Sequence, residues 1–197
     1  KKQTGGRGKF ADVQFEIAPI EHFAGIDDDD KSVTKTEGFK FINQVVGGNI
    51  PRDYIPSIEK GFREAMGNGV QANYPAQNIG VRLFDGSYHD VDSDAFSFEL
   101  CARLAFRESA KKAGPQLLEP VMKVEVTTPE EFMGDVIGDL NGRRGIVQKM
   151  ENNVDGSLVR CHVPLSEMFG YSTDLRSLTQ GRDAYSMEFD HYAAVPE

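Results

Sequence analysis

Tryptophan is absent from the 197-residue chain, and cysteine occurs only twice. Cys101 and Cys161 have no second Cys or nearby His at the spacing of a zinc motif, so we expect no structural metal site. Apolar runs stay far below the about 20 residues that span a membrane, and no apolar segment typical of a signal peptide follows Lys1. These absences exclude a disulfide framework and favour a soluble cytoplasmic protein without membrane contact.

Charge is unevenly distributed along the chain. It has 22 Lys and Arg against 31 Asp and Glu, a net charge of −9, which argues against a protein that coats nucleic acid. Residues 1–114 carry 15 basic and 17 acidic side chains, a net of −2, whereas residues 115–197 carry 7 and 14, a net of −7. Residues 1–11 contain four basic side chains and no acid, so a local basic contact is favoured there.

Alternating apolar residues predict strands in the first half. Residues 12–17 alternate strictly and indicate a half-buried strand, and residues 79–83 indicate another that stops at the turn pair Asp85-Gly86. Residues 21–38 are interpreted as a polar loop. Its run Asp27 to Lys31 holds four adjacent carboxylates, which repel one another and favour a solvated position.

Two helices are predicted in the same half. The first has Pro56 in its first turn and pairs Glu59 with Arg63 on its outer side. The second is capped by Ser93 or Asp94 and ends at Gly114-Pro115, which we interpret as the domain boundary. Its predicted inward residues are Phe96, Leu100, Leu104 and Ala105.

The second half is predicted to have the order β-α-β-β-α-β, which is typical of the ferredoxin-like split βαβ sandwich. Thr128, Pro129 and Glu131 match a capping box that begins its first helix. The predicted strands are 121–127, 146–150, 158–163 and 185–189, and the predicted second helix is 166–179. The chain is therefore interpreted as α+β, with domains 1–114 and 115–197.

Three familiar site motifs are incomplete. Asp90, Asp92 and Asp94 start like a calcium loop, but the required Gly and Glu positions hold Ala95 and Cys101. The segment GGRGK lacks the Lys-Ser/Thr pair of a phosphate-binding loop and precedes a strand. No nucleophile motif surrounds a His, although a hydrolase assembled by the fold remains open. The four His are His22, His89, His162 and His191.

Two segments carry groups suited to nucleic-acid contact. Gln3 to Gly8 has a glycine-rich backbone that can approach a ligand closely, and it carries a forked guanidinium. Ser87 to Asp90 offers a hydroxyl, a stacking ring and an imidazole between a predicted strand and a predicted helix. From the residues alone, both are equally compatible with ordinary turns, with His89 bonded to Asp90 or Asp92. The segments are Gln3 to Gly8 and Ser87 to Asp90.

Five long segments, in matching order, resemble the C-terminal part of the bacterial or organellar elongation factor G family. They are KKQTGGRGKF (1–10), FINQVVGGNIPRDYIPSIEKGF (41–62), LFDGSYHDVDS (83–93), LLEPVMKVEVTTPEEFMGDVIGDLNGRRG (117–145) and VPLSEMFGYSTDLRSLTQGR (163–182). The resemblance implies that residues 1–114 form domain IV, an elongated βαβ-type domain with a ribosomal-protein-like fold. Residues 115–197 would form the ferredoxin-like domain V.

The resemblance also implies a function. Domain IV in this family imitates the anticodon arm of tRNA, and its tip enters the decoding region of the small ribosomal subunit and contacts the tRNA–mRNA duplex. Domain V docks near the sarcin–ricin loop and the stalk base of the large subunit. His89 matches a tip position that carries diphthamide in archaeal and eukaryotic relatives, a modification not expected here. The implied tip residues are Gln3, Gly5, Gly6, Arg7, Gly8, Ser87, Tyr88, His89 and Asp90.

Catalysis is not expected from these two domains. The resemblance places GTP or GDP with magnesium in a GTPase domain that these residues do not include, so we expect no catalytic residue, metal or cofactor here, and a monomer. The start without Met and the missing helix after Pro196-Glu197 indicate a piece of a longer protein. Two segments depart from the family pattern, the acidic run Asp27 to Lys31 and residues 67–75.

Several alternatives share these features. A relative devoted to ribosome recycling, or to translocation without hydrolysis, would keep both domains. A tetracycline-resistance ribosomal-protection protein has the same architecture but should not carry GSYHDVDS at its tip. A stand-alone enzyme is the alternative of a different class, and GTP turnover by this chain alone would favour it.

Overall fold

The computed structural model describes residues 8–153 and 156–196. The chain divides into two compact units between Pro115 and Gln116, called here the first and the second unit. Within the described residues, every helix is too short or too polar to cross a lipid bilayer. The first unit contains β1 (Asp12–Pro19), β2 (Val33–Thr36), β3 (Phe39–Asn43), α1 (Ile55–Asn68), β4 (Ile79–Ser87) and α2 (Ala95–Lys112).

The first unit is built around a four-stranded sheet with the order β1-β4-β3-β2. β3 and β4 are parallel, so the chain must cross over between them, and α1 supplies that crossover. β1 and β2 pair antiparallel with β4 and β3. β4 is therefore a central strand, bonded on both sides. The strand predicted over 12–17 is confirmed and continues to Pro19.

Aromatic side chains fill the core of the first unit. Phe62 on α1 is fully buried, and its ring centroid lies 4.8 Å from that of Phe15, 6.2 Å from Phe41 and 6.3 Å from Phe106. α1 begins at Ile55 with Pro56 in its first turn, as predicted, and Arg63 pairs with Glu59 at 2.6 Å. Through Phe62, helix α1 therefore packs against both β1 and β3 of the sheet.

The predicted inward face of α2 is wrong. Phe96 and Leu104 are 59% and 58% exposed, whereas Leu100 and Ala105 are half-buried. Large apolar residues recur every four positions on two sides of this helix, so periodicity alone cannot choose between them. The side that packs against α1 and the sheet contains Phe98, Ala102, Phe106 and Ala110.

The predicted turn at Asp85-Gly86 is also wrong. Both residues lie inside β4, where Gly86 pairs with Val13 of β1. A Cβ at Gly86 would lie 2.3 Å from the Asp12 carbonyl oxygen and 2.6 Å from Cδ1 of Ile50. Gly86 is needed for close approach of neighbouring backbone and core, and β4 continues to Ser87.

Residues 21–38 are more ordered than a plain polar loop. They include the end of a 3-10 turn (Ile20–Phe23) and strand β2. The Lys40 side chain is 2% exposed, and its ammonium lies 2.8 Å from Asp28 Oδ1 and donates to the Ile26 carbonyl at 2.6 Å. Lys35 also pairs with Asp28, and both lysines lower the pKa of that carboxyl. One residue of the acidic run therefore ties the segment to a buried cation.

The second unit has the predicted β-α-β-β-α-β order and an antiparallel sheet ordered β6-β7-β5-β8. This order confirms the ferredoxin-like sandwich and the α+β class. Its elements are β5 (Leu118–Thr128), α3 (Glu130–Gly142), β6 (Ile146–Asn153), β7 (Gly156–Pro164), α4 (Tyr171–Leu178) and β8 (Ala184–Ala194).

Two helices pack on one face of this sheet. Burial raises the pKa of Cys161 to about 11, so this core thiol stays protonated at neutral pH. Both cysteines are free thiols. The buried core consists of Val124, Val126, Val159, Cys161 and Val163 from the sheet, Met133, Val136, Leu140, Tyr171 and Leu175 from the helices, and Met168 between β7 and α4.

Two predictions in the second unit are wrong in detail. Thr128 is the last residue of β5, and its Oγ1 donates to the Arg182 carbonyl at 2.9 Å instead of capping α3. The capping box is therefore not formed. The predicted helix 166–179 is interrupted at Gly170, whose φ is +74°, and only Tyr171–Leu178 is α-helical.

Candidate nucleic-acid interface

The loop between β4 and α2 holds the second predicted contact segment. α2 begins at Ala95 because Asp94 caps it: Asp94 Oδ1 accepts from the Ser97 N–H at 2.7 Å and from Ser97 Oγ at 2.6 Å. Of the two predicted capping residues, the structure selects Asp94. Ser93 is 3% exposed and has a different role.

Ser93 connects the loop to the start of the described chain. Its Oγ accepts from the His89 N–H at 2.8 Å and donates to the Phe10 carbonyl at 2.8 Å, while its own N–H donates to the His89 carbonyl at 2.9 Å. A buried hydroxyl that serves as donor and acceptor fixes both backbones at once. The 88–94 loop is thus positioned by residue 10 as well as by β4 and α2.

Gly8, the last residue of the first predicted segment, contacts the β4–α2 loop at Asp92, two residues beyond the second predicted segment. The Gly8 N–H donates to Asp92 Oδ1 at 2.6 Å, and the Phe10 N–H donates to the Asp92 carbonyl at 2.9 Å. Lys9 forms an ion pair with Asp94. Gln3, Gly5, Gly6 and Arg7 lie outside the described residues, so their predicted part in the tip stays a prediction. We call Gly8 to Phe10 together with Ser87 to Asp94 the tip.

His89 organises the loop and keeps one polar atom available. Its Nδ1 accepts from the backbone N–H groups of Val91 and Asp92, both at 3.3 Å, and Asp92 Oδ2 lies 3.5 Å from the same nitrogen. In the neutral ring these donors place the hydrogen on Nε2. The side chain is 57% exposed, so a ligand can reach that donor.

The four residues predicted at this end of the loop are all exposed. Tyr88 is 42% exposed and can offer a ring face. Ser87 has a structural role as well, because its Oγ donates to Asp12 Oδ2 at 3.0 Å where β1 and β4 end their pairing. Ser87, Tyr88, His89 and Asp90 therefore share one exposed stretch at the end of a central strand.

Sequence reasoning missed part of the tip. Phe10 is 42% exposed, and its ring lies edge-on to that of His89 with centroids 6.5 Å apart. Asp92 and Ser93 connect residues 8–10 to the loop, whereas the sequence patterns indicated Asp92 only as a calcium ligand or a partner of His89, and Ser93 only as a helix cap. The signal that could have found them is a Ser-Asp pair ahead of a helix, where side chains bond neighbouring backbone.

The described part of the tip is not basic. Residues 85–94 contain four Asp and no Lys or Arg, and Lys9 is already paired with Asp94. The predicted cations Lys1, Lys2 and Arg7 lie outside the described residues. Within the described tip, hydrogen-bonding groups and rings are the available contact chemistry.

The Asp94 carboxylate has an unusual titration. The hydrogen bond from Lys9, followed by those from Ser97, holds the pKa of Asp94 well below its usual range. We expect Asp94→Asn to lower the stability of the first unit at neutral pH, because Asn keeps the cap acceptor but cannot form the ion pair.

The stability difference between the parent and Asp94→Asn should depend on pH, because the pKa of Asp94 is lowered in the folded state. A depressed folded-state pKa stabilises the fold above the ordinary Asp pKa of about 3.9, and the contribution is lost as pH falls through the folded value. When urea unfolding is measured at a series of pH values, the free energies of unfolding of the parent and of Asp94→Asn should become equal at acidic pH. A difference that stays constant at every pH would contradict the assignment.

Sequence comparison accounts for both units. The profile described as elongation factor G, domain IV matches residues 1–114, and the profile described as elongation factor G C-terminus matches residues 116–197. This chain belongs to the elongation factor G family. It is 53% identical over 196 residues to elongation factor G of Aquifex pyrophilus, a match that covers all of this chain and 26% of that protein.

A solved structure has the same fold. A crystal structure from Thermus thermophilus superposes with a TM-score of 0.82 at 39% sequence identity, over 99% of this chain and 27% of that one. The chain thus spans about a quarter of the length of these relatives. It corresponds to the domain IV and C-terminal regions of elongation factor G.

Proposed function

We propose that this chain is the ribosome-contacting arm of a factor that promotes GTP-dependent translocation of tRNA and mRNA. The tip enters the decoding region of the small subunit and contacts the tRNA–mRNA duplex. The second unit docks near the sarcin–ricin loop and the stalk base. Family membership supports the ribosome as partner, and the exposed stretch Ser87 to Asp90, held in place through Asp92 and Ser93, supports the tip as the contact.

The geometry of the loop suits recognition of a short RNA duplex. An A-form duplex presents its 2′-hydroxyls and base edges in a wide, shallow minor groove, which proteins recognise largely by shape. The Nε2 hydrogen of His89 can donate to such groups, and the Tyr88 ring can stack on an exposed base or sugar. Because Ser93 and Asp92 fix the loop before binding, little conformational entropy is lost on contact.

GTP hydrolysis is assigned to another part of the factor. A phosphate-binding loop needs a free Lys that reaches the phosphates. In the GGRGK segment of this chain, Lys9 is held by Asp94 and its residues lead into β1 instead of a helix. GTP or GDP with magnesium therefore fits poorly here, and we place it in the GTPase domain of the intact factor.

The test uses the full-length factor that contains this chain. We expect His89→Ala to slow translocation about tenfold, since a hydrogen bond worth about 0.5–1.5 kcal/mol and a ring contact are both lost. Ribosome-stimulated GTP hydrolysis should stay near the parent rate. The measurements are single-turnover translocation and phosphate release on the same ribosomes.

A matched histidine elsewhere in the first unit provides the control. His22 is 58% exposed and bonded to Glu16 at 2.9 Å, outside the tip, so His22→Ala should leave both rates unchanged. Unchanged translocation in His89→Ala would overturn the proposed contact. Parallel loss of translocation and hydrolysis would assign the effect to folding and equally contradict a specific tip role.

A further inference from the structure

Three potential metal ligands converge in the second unit, far from the tip in sequence. His162 lies in β7, and Asp190 and His191 lie in β8. One ligand atom from each residue lies within 4.8 Å of the other two. His162 Nε2 is 3.6 Å from Asp190 Oδ1, and His191 Nδ1 is 2.5 Å from Asp190 Oδ2. No two of these side chains form a recognisable zinc motif in the sequence.

A β-bulge creates this cluster. Phe189 pairs with Met122 and His191 pairs with Val121, so Asp190 is the extra residue on β8. In a regular strand, consecutive residues point to opposite faces, and Asp190 and His191 would be separated by the sheet. The bulge re-aims side chains at this position and lets both reach the same imidazole.

The cluster lies on the sheet face opposite the core. Val159, Cys161 and Val163 alternate with His162 along β7 and pack in the core beneath the helices. His162 therefore faces the other side, where its ring centroid lies 5.4 Å from that of His191. The three side chains are 25%, 34% and 45% exposed for His162, Asp190 and His191. An ion can reach the cluster from solvent.

The donor set selects the class of ion. Two imidazole nitrogens and one carboxylate oxygen suit Zn²⁺ and neighbouring first-row metals, whereas Mg²⁺ and Ca²⁺ require mostly oxygen ligands. With metal–nitrogen bonds of about 2.0–2.1 Å, tetrahedral ligands lie about 3.3 Å apart. The separations of 2.5 and 3.6 Å from the Asp190 oxygens lie on either side of that value, so each of these distances needs to change by less than about 1 Å. Three protein ligands leave the fourth position for water.

Neighbouring charges do not oppose an ion strongly. Lys123 is the register partner of His162 on β5, but its ammonium is paired with Glu188 of β8. On the same face, Arg160 pairs with Glu125 at 2.6 Å. Each of these two cations is therefore offset by a carboxylate.

The geometry points to a binding site for a divalent transition-metal ion, of the Zn²⁺ class, formed by His162, Asp190 and His191. Because β5 lies between β7 and β8, the bound ion would join two strands that are not paired with each other. The ion would thereby cross-link the edge strand β8 to β7. Strand β8 carries the exposed side chains Tyr185, Met187, Phe189 and Tyr192.

The experiment titrates the 197-residue chain with Zn²⁺ by calorimetry and with Co²⁺ by visible absorption. We expect one ion per chain. His162→Asn, Asp190→Asn and His191→Asn should each weaken binding at least about tenfold, because even loss of an outer-shell partner costs about 10–100-fold. His22→Asn, which alters a His–carboxylate pair with no second imidazole among the described residues near it, should bind like the parent chain.

A second measurement separates binding from folding. Circular dichroism of the metal-free variants should match the parent, and Zn²⁺ should raise the unfolding temperature of the parent but not of His191→Asn. In imidazole nitrogen NMR spectra, His162 and His191 should shift with Zn²⁺ while His22 and His89 do not. Absence of stoichiometric binding, or equal binding by parent and His162→Asn, would overturn the site.

Discussion

Phe98→Ala is expected to lower the free energy of unfolding of the first unit by about 3–5 kcal/mol, the usual cost of removing a fully buried phenylalanine ring. The Phe98 side chain is 0% exposed and stacks on Tyr54 with ring centroids 5.0 Å apart and planes 23° from parallel. The truncation removes the ring that fills the space between α2 and the 3-10 turn Arg52–Tyr54.

Phe96 provides a control of the same residue type on the same helix. It is 59% exposed, with Lys9 5.9 Å from its ring centre, so Phe96→Ala should change stability by less than about 1 kcal/mol. Urea unfolding combined with amide hydrogen exchange in α1 and β4 measures the first unit separately. Equal costs for the two variants would mean that α2 is rotated from the orientation described above.

Gly61→Ala is expected to destabilise the first unit by about 2 kcal/mol, although Ala favours helix more than Gly by about 1 kcal/mol. A Cβ at Gly61 would lie 2.3 Å from the Glu99 carbonyl oxygen and 3.0 Å from the Ala102 Cβ. α1 and α2 can accommodate it only by moving apart, which loosens the packing of both helices.

Gly67 lies on the same helix, and its substitution by Ala is expected to have the opposite effect on stability. A Cβ there meets nothing within 4 Å of the described atoms, so Gly67→Ala should stabilise the unit by about 0.5–1 kcal/mol. Thermal unfolding of the two variants beside the parent checks both signs in one experiment. Stabilisation by both substitutions would show that the helices do not approach closely at Gly61.

Local patterns predicted elements better than they predicted faces. Strict alternation in β1 and the Pro56 start of α1 depend on neighbouring residues only, and both are confirmed. The orientation of α2 depends on which of two apolar sides meets Phe62, a contact made across many residues of chain. Sequence periodicity does not distinguish the two apolar sides of α2, so the prediction that Phe96 and Leu104 face the core is wrong.

The same distinction applies to the candidate sites. The sequence predicts the segment from Ser87 to Asp90 because its residue types stand between a strand and a helix, and the structure places it there. Its support by Ser93 and Asp92 depends on where residues 8–10 return, which only the fold specifies. The convergence of His162 with His191 depends on a bulge in β8, and no spacing rule predicts a bulge.

The position of β4 in its sheet has a mechanical consequence. The strand that ends in the tip is hydrogen-bonded to β1 on one side and to β3 on the other. A pull along the strand from the tip would load both ladders in shear, so many hydrogen bonds resist together instead of opening one pair at a time. A force applied to the tip along β4 is therefore distributed over β1 and β3 before any single hydrogen-bonded pair must open.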